Sequence, residues 1–320
     1  MSFISNLNAV DRVEILTLAD NYIDLTAMDD SEIVSRGTPL TQDMELRSSF
    51  LAEHGFSAVI KYMKKEAAGA IVFDFGLAWD VAARNADTSG VDLTEVEAAT
   101  LSHGHIDHFG GMAEVADRIS GLGIEFVVHP SVFKSKRYVT TATDFKLYQP
   151  ILERQQVEAL GFRIIETKNP YPILDGDVLF LGEIIRKTSF EKGMPNAFYE
   201  QEGQEIWDPI EDDTGIAINL AGRGLVILSG CSHSGIINTV EHARRVTGID
   251  KVHAVIGGFH LSGPSFEPII DETIRSMKEI NPDYVVPTHC TGRKAILAFE
   301  KAMPSQFILN MSGTKLTFSS

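Results

Sequence analysis

The stretch Leu101-Ser102-His103-Gly104-His105-Ile106-Asp107-His108-Phe109-Gly110-Gly111 governs the reading of the whole chain. Three histidines and one aspartate fall within six positions, between an apolar run at 98–102 that reads as a strand and a helical pattern at 111–119. In an extended segment alternate side chains share a face, so His103 and His105 can grip one ion. Asp107 and His108 lie past the bend and can grip a second. Imidazole nitrogen and carboxylate oxygen at these spacings suit zinc, and also iron or manganese. A loop of ordinary surface histidines would have no reason to gather ligand-type residues so tightly.

Three further histidines occupy the same context, a Gly-flanked turn directly after an apolar strand. They are His233 in Gly230-Cys231-Ser232-His233-Ser234-Gly235, His260 after Ile256-Gly257-Gly258-Phe259, and His289 in Pro287-Thr288-His289-Cys290-Thr291-Gly292. Strand ends that repeat one pattern point to one shared site at an edge of the sheets. His103, His105, Asp107, His108, His233 and His289 form the expected ligand set, and His260 is read as a proton donor to substrate. Imidazole titrates near neutrality, so His233 and His260 are both candidate acids, with Asp107 the carboxylate of the reacting centre.

Around these motifs, short apolar runs alternate with helical stretches along all 320 residues. Strands are expected at 13–19, 58–63, 70–75, 98–102, 125–129, 178–184, 216–220, 225–229, 254–256, 284–287 and 314–318, and helices at 77–86, 111–119, 150–160, 236–246, 267–280 and 293–302. Ala221-Gly222-Arg223-Gly224 reads as a hairpin bend. No linker divides the chain, so a single domain over 1–320 is expected, with the irregular stretch 131–211 as an insertion or lid. Within it, Lys134, Lys136, Arg137, Arg186 and Lys187 could hold a phosphate but read better as a solvated basic face. Phe133, Tyr138, Tyr148, Phe190 and Tyr199 could stack on a flat ring or simply pack.

With 28 basic against 44 acidic residues the formal charge is −16, which repels phosphate backbones and argues against a nucleic-acid partner. No apolar run reaches the ~18 residues needed to span a bilayer, and the opening residues lack the pattern of a signal peptide. Two cysteines make no disulfide framework. A cytoplasmic protein with a small-molecule substrate is expected.

These residues together resemble the metallo-β-lactamase-fold superfamily over nearly the whole chain. Phe73-Asp74-Phe75-Gly76 resembles its first aspartate motif, His103-x-His105-x-Asp107-His108 its metal signature, and His289 its last histidine ligand. More narrowly, the chain is similar to the branch that includes the methanopterin-pathway dihydropterin synthase, which joins a pterin to a ribofuranosylaminobenzene phosphate. The marks of that branch are Asp20-Asn21, Glu53-His54-Gly55, Gly230-Cys231-Ser232-His233-Ser234-Gly235, Gly257-Gly258-Phe259-His260-Leu261 and His289-Cys290-Thr291-Gly292.

The resemblance implies an α/β fold, a four-layer αββα sandwich, with two divalent ions acting on a small phosphorylated metabolite. It also implies Asp20, Asn21, Glu53, His54 and His260 as substrate-binding groups. Two departures matter. Asp212-Asp213-Thr214-Gly215 stands where the superfamily's hydrolases have His-Thr-x-Gly, so either His233 or Asp213 completes the first metal shell, and His233 is favoured. Cys231 replaces the usual bridging aspartate, where a thiolate can bind zinc. His105 stands where the di-iron redox branch has glutamate, which favours hydrolytic, zinc-type chemistry. Hydrolysis of a phosphoester or ester bond and displacement of diphosphate both remain open. The rivals are a ribonuclease of this fold and a non-catalytic metal-binding or ligand-sensing module.

Overall fold

The strand Gly224–Ser229 is apolar at every position but its ends, because both of its faces are covered. Val226 and Leu228 point into one core and Leu225 and Ile227 into another. Neighbouring strands repeat this division. Ile216 and Ile218 face inward while Ala217 faces out, and Ala254 and Ile256 face inward while Val255 faces out.

The computed structural model describes residues 7–37, 45, 49–65, 67–119, 123–141 and 143–320. The opening residues 1–6, part of the stretch judged against signal peptides, lie outside them. One sheet runs Tyr171–Ile173, Val178–Phe180, Gly215–Leu220, Gly224–Ser229, Val252–Gly258 and Tyr284–Thr288, with Ala9–Val10 beside Gly215–Leu220. A second runs Arg163–Glu166, Glu125–Val128, Ala98–Thr100, Ala67–Phe73, Ser57–Lys64, Arg12–Ala19, Lys315–Ser319 and Val34–Ser35. Residues of both sheets, among them Ile15, Ile60, Phe73, Ile218, Leu228 and Ile256, share the central core. Helices Ile236–Thr247, Ile270–Ile280 and Arg293–Ala302 pack on the outer face of the first sheet. Helices Val81–Ser89, Met112–Ala116 and Arg154–Ala159 pack on that of the second. Three cores therefore separate four layers, αββα, as the sequence predicts.

The hairpin at 221–224 joins Gly215–Leu220 to Gly224–Ser229 in antiparallel register. The stretch 131–211 differs from the expected insertion. Its middle supplies Arg163–Glu166 to one sandwich sheet and Tyr171–Ile173 and Val178–Phe180 to the other. Only its flanks form something extra, a small sheet in the order Gln204–Trp207, Ala197–Gln201, Arg137–Thr140, Lys146–Tyr148. Those strands escaped sequence reading because they are short, partly exposed and carry no apolar run.

Strand ends at the site are crowded. Gly257 has φ +132°, and a Cβ there would lie 2.0 Å from the Ser229 carbonyl oxygen. Gly257→Ala should therefore cost about 2–4 kcal/mol through strain and overpacking, read as a lowered midpoint in denaturant unfolding.

Candidate metal centre

Loops from both sheets meet at one edge of the sandwich, and buried acids fix their shapes. Asp74 follows the strand Ala67–Phe73 and is fully buried. Its carboxylate accepts from Ser102 N at 2.7 Å and Ser102 Oγ at 2.7 Å, and His108 Nδ1 donates to it at 2.6 Å. His108 Nδ1 is thereby committed to Asp74, and its Nε2 is turned toward the cleft, 3.2 Å from Cys231 Sγ.

Asp212 accepts from Gly104 N, between His103 and His105, at 2.8 Å. Asp213 accepts from His233 N and Ser234 N, each at 2.8 Å. Asp20 accepts from His289 N at 2.8 Å and from Asn310 Nδ2 at 2.7 Å. Asn21 Oδ1 lies 3.2 Å from His289 Nδ1, which again turns Nε2 toward the cleft.

The side chains so held form two adjoining groups. His103, His105 and His233 make the first, with His103 Nε2 lying 3.0 Å from His105 Nδ1 and 3.2 Å from His233 Nε2. Asp107, His108, Cys231 and His289 make the second, with His289 Nε2 lying 3.3 Å from Asp107 Oδ2. Cys231 also groups with His233 and His260, so its thiol lies between the two halves. The rings of His103 and His108 are 4.3 Å apart between centroids.

Such a cluster suits cations better than protons. Burial, helped by the neighbouring imidazoles, holds His103 and His233 well below the ordinary histidine range. Burial and the Arg137 guanidinium hold His105 at about 4. These rings are therefore neutral at pH 7, with lone pairs available. His108 differs, since Asp74 and Asp107 outweigh its burial and push it up to about 9. Burial resists ionisation of Asp107, but His108 and His289 overcome it and hold its carboxyl well below the usual range. His233 Nδ1 and His260 Nδ1 are buried without a hydrogen-bond partner among the described residues. Neutral converging nitrogens, a carboxylate and a thiol are the kinds of donor that transition metals take, and the residues fit such a cation.

The structure reassigns several expected residues. Asp213, a candidate ligand, has both oxygens on backbone amides and shapes the His233 turn instead. Asp20, expected to touch substrate, is buried and shapes the His289 turn. Glu53, expected beside it, accepts from Leu77 N at 2.9 Å and Ala78 N at 2.6 Å and so braces the next loop. Asn21 and His54 do reach the mouth of the cleft. Asn21 Nδ2 lies 2.9 Å from His54 Nδ1, and the His54 and His289 rings are 4.8 Å apart. Arg137 and Lys134 are not a solvated face. Arg137 is buried, its Nη1 donates to Asp212 Oδ2 at 2.7 Å and its Nε lies 2.9 Å from Asp208 Oδ2, while Lys134 pairs with Asp208 and Glu211.

Sequence reading also missed a cavity of about 650 Å³ beside His233 and His260, lined in part by Phe190, Trp207 and Phe266. Of the five aromatics singled out, only Phe190 lines it. Tyr138 packs on Phe198 and Tyr148, Phe133 lies under Arg154, and Tyr199 under Lys134.

The metallo-beta-lactamase superfamily model matches residues 54–289. The chain belongs to that superfamily. It is 31% identical over 307 residues to the 7,8-dihydropterin-6-methyl-4-(beta-D-ribofuranosyl)-aminobenzene-5'-phosphate synthase of Methanocaldococcus jannaschii, covering 94% of this chain and 95% of that protein. A second, uncharacterized protein of the same organism is 33% identical over 259 residues, 77% of this chain and 87% of its own length. The crystal structure of a metal-dependent hydrolase of the beta-lactamase superfamily superimposes with a TM-score of 0.71 at 23% identity, covering 96% of this chain and 100% of that one. The architecture is thus the metallo-β-lactamase fold.

Arg137 joins the small sheet to the metal loop through Asp212 and Gly104. Arg137→Met leaves Asp208 and Asp212 buried without their guanidinium and should cost about 3–5 kcal/mol in urea unfolding. A loss below ~1 kcal/mol would show that the network carries no such weight.

Proposed function

We propose that this protein is a dinuclear metal-dependent enzyme that acts on a small phosphorylated metabolite. The observation that carries the reading is the convergence of two ligand groups, His103, His105 and His233 beside Asp107, His108 and His289, with Cys231 between them. Zinc suits this set best, and iron or manganese would also be accepted. Bound divalent ions supply Lewis acidity, which acidifies water and neutralises charge on a phosphoryl or carbonyl oxygen.

The chain's own groups divide the remaining work. Asp74 and Asn21 engage Nδ1 of His108 and His289 and so turn their Nε2 atoms inward, while Asp212, Asp213 and Asp20 grip the backbone amides of the surrounding turns. Asn21 and His54 stand at the cleft mouth, where they can orient the substrate. His260 lies beside His233, with ring centroids 4.3 Å apart, and is placed to give a proton to a leaving group. The likeness to a synthase that carries a 5'-phosphate in its product's name supports a phosphorylated substrate. Hydrolysis and diphosphate displacement place the same demands on these residues and differ in the incoming nucleophile. A ribonuclease reading meets a chain of net charge −16 whose Lys134 and Arg137 are already paired to carboxylates.

Protein purified without chelator should carry about two transition-metal ions per chain by elemental analysis. Cys231→Asp should keep both ions, whereas Cys231→Ala should lose affinity for one. Equal metal content in wild type and Cys231→Ala would return Cys231 to a packing role.

His260→Ala should keep its metals and its circular dichroism but lose ~10²–10⁴-fold in turnover of a phosphoester or diphosphate substrate. His289→Ala should lose an ion as well. If His260→Ala sheds an ion as His289→Ala does, His260 is a ligand and not the acid.

A further inference from the structure

The chain has two cysteines, Cys231 and Cys290, and the fold brings them together from 59 residues apart. Each lies two residues past the end of a strand, Gly224–Ser229 for Cys231 and Tyr284–Thr288 for Cys290. Those strands are not neighbours, because Val252–Gly258 runs between them, parallel to both. The thiols therefore meet by reaching across the end of the middle strand. The Cys290 thiol donates to the Cys231 carbonyl at 3.5 Å, and the two side chains are hydrogen-bonding partners of each other.

Gly258, the last residue of the middle strand, makes that meeting possible. A Cβ there would lie 2.6 Å from Cys290 Sγ and 3.3 Å from the Cys231 Cα, so any side chain would stand where the thiols converge. Cys231 has a place among the candidate ligands. Cys290 belongs to none of the donor groups among the described residues, so metal binding does not account for it. A free buried cysteine is ordinarily a small hydrophobe. Two that exhaust the chain's supply and face each other over a glycine form a dithiol. The cavity of about 650 Å³ is lined by Ser232 and Phe259, the chain neighbours of Cys231 and Gly258, and admits a molecule as small as a peroxide.

We propose that Cys231 and Cys290 are a reversible oxidation site that takes a peroxide as its oxidant and closes as an intramolecular disulfide. Cys290, 8% exposed against 3% for Cys231, reacts first. Its sulfur attacks hydrogen peroxide, the O–O bond breaks, water leaves and a sulfenic acid remains. The Cys231 sulfur then attacks the Cys290 sulfur, the S–S bond forms, the S–O bond breaks and a second water leaves. Two thiols and one peroxide thus become one disulfide and two waters. The two electrons lost by the sulfurs reduce the peroxide, and both thiol protons leave in water. A dithiol reductant reverses the step by exchange. Its consequence rests on the metal-centre reading. Cys231 Sγ, 3.2 Å from His108 Nε2 and grouped with His233 and His260, cannot serve a cation and a disulfide together. Oxidation and metal binding therefore exclude each other, and by linkage each weakens the other.

The test treats full-length protein, chelator-treated and zinc-loaded in parallel, with a small molar excess of hydrogen peroxide. Intact mass, thiol titration in denaturant and a non-reducing peptide map follow. Chelator-treated protein should lose both thiols, fall by about 2 Da for the two hydrogens removed, and yield one peptide pair joined through Cys231 and Cys290. Its zinc affinity should drop about ten-fold or more and return after dithiothreitol. With free zinc at about ten times its dissociation constant, oxidation should slow about ten-fold. Cys231→Ala should stop at the sulfenic acid, gaining about 16 Da and reacting with dimedone. Cys290→Ala should never show the 2 Da loss, while its zinc content stays at the wild-type value.

Thiols that survive peroxide in chelator-treated protein, oxygen added without a cross-link, or a disulfide between two chains would overturn the proposal. An intramolecular disulfide that leaves zinc affinity unchanged would overturn the mutual exclusion, and with it Cys231 as a ligand. The two readings fail separately. A reversible Cys231–Cys290 disulfide in protein that takes up no metal when reduced would keep the oxidation site and sink the metal centre. Two bound ions in protein whose thiols never cross-link after chelation would do the reverse.

Discussion

The site depends on a single carboxylate that never meets solvent. Asp74 is buried at the end of a central strand, at φ +58°, and satisfies Ser102 N, Ser102 Oγ and His108 Nδ1 at once. A carboxylate in such a place is costly unless its lone pairs are filled. Here they are filled by the groups that must be held still. The strand end, the first turn of the 102–108 loop and the His108 ring are thereby locked together, and the ring's orientation is set. Asp212, Asp213 and Asp20 repeat the device for Gly104, His233 and His289. Four buried acids thus shape three turns, at 102–108, 233–234 and 289, through backbone amides, and the imidazoles on those turns converge. Preorganisation of this kind puts the cost of ordering these side chains into folding.

The small sheet is tied into the same arrangement and is not merely attached to it. Its strand Arg137–Thr140 begins with the guanidinium that joins Asp208 and Asp212, and Asp212 in turn holds Gly104. A Cβ at Gly104 would lie 2.4 Å from Val132 O and 3.0 Å from Arg137 Nη1, so the metal loop and this segment touch without room for a side chain. The other end of the sheet delivers Trp207 to the cavity. One side of the addition braces the 102–108 loop and the other lines the cavity beside His233 and His260.

How much of this was legible in the sequence follows from how local each signal is. His103, His105, Asp107 and His108 announce themselves because imidazoles and a carboxylate at short, regular spacings on one loop are a local signal, and the structure draws them into the candidate cluster. His233 and His289 were legible through a repeated context of apolar strand, turn and histidine. Asp20, Asp213 and Glu53 were recognised as special, yet their roles were misread. Their partners lie 269, 20 and 24 residues away, and nothing local tells an amide-binding carboxylate from a substrate-binding one. Arg137 read as a basic surface residue for the same reason, since its carboxylates lie 71 (208 − 137) and 75 residues on. The layers were legible from runs of apolar residues buried on both faces, whereas the small sheet, exposed on much of its surface, left no such run.

The backbone carries the last part of the design. Asp74, Ser232, His260 and His289 all adopt positive φ, between 43° and 58°, although none is glycine. A non-glycine residue there costs energy, of order 1 kcal/mol or more, and persists only where its surroundings impose it. At a strand end this conformation reverses the chain within one residue. The amide of His289 can then face inward to Asp20 while its imidazole faces the cleft. An extended residue could not offer both from the end of a paired strand, because its amide would continue the ladder. The strain is therefore the geometric condition for one residue to be gripped by the scaffold and presented to the site at the same time. Its concentration at these turns, beside glycines that a Cβ would block, separates a built centre from a chance gathering of histidines.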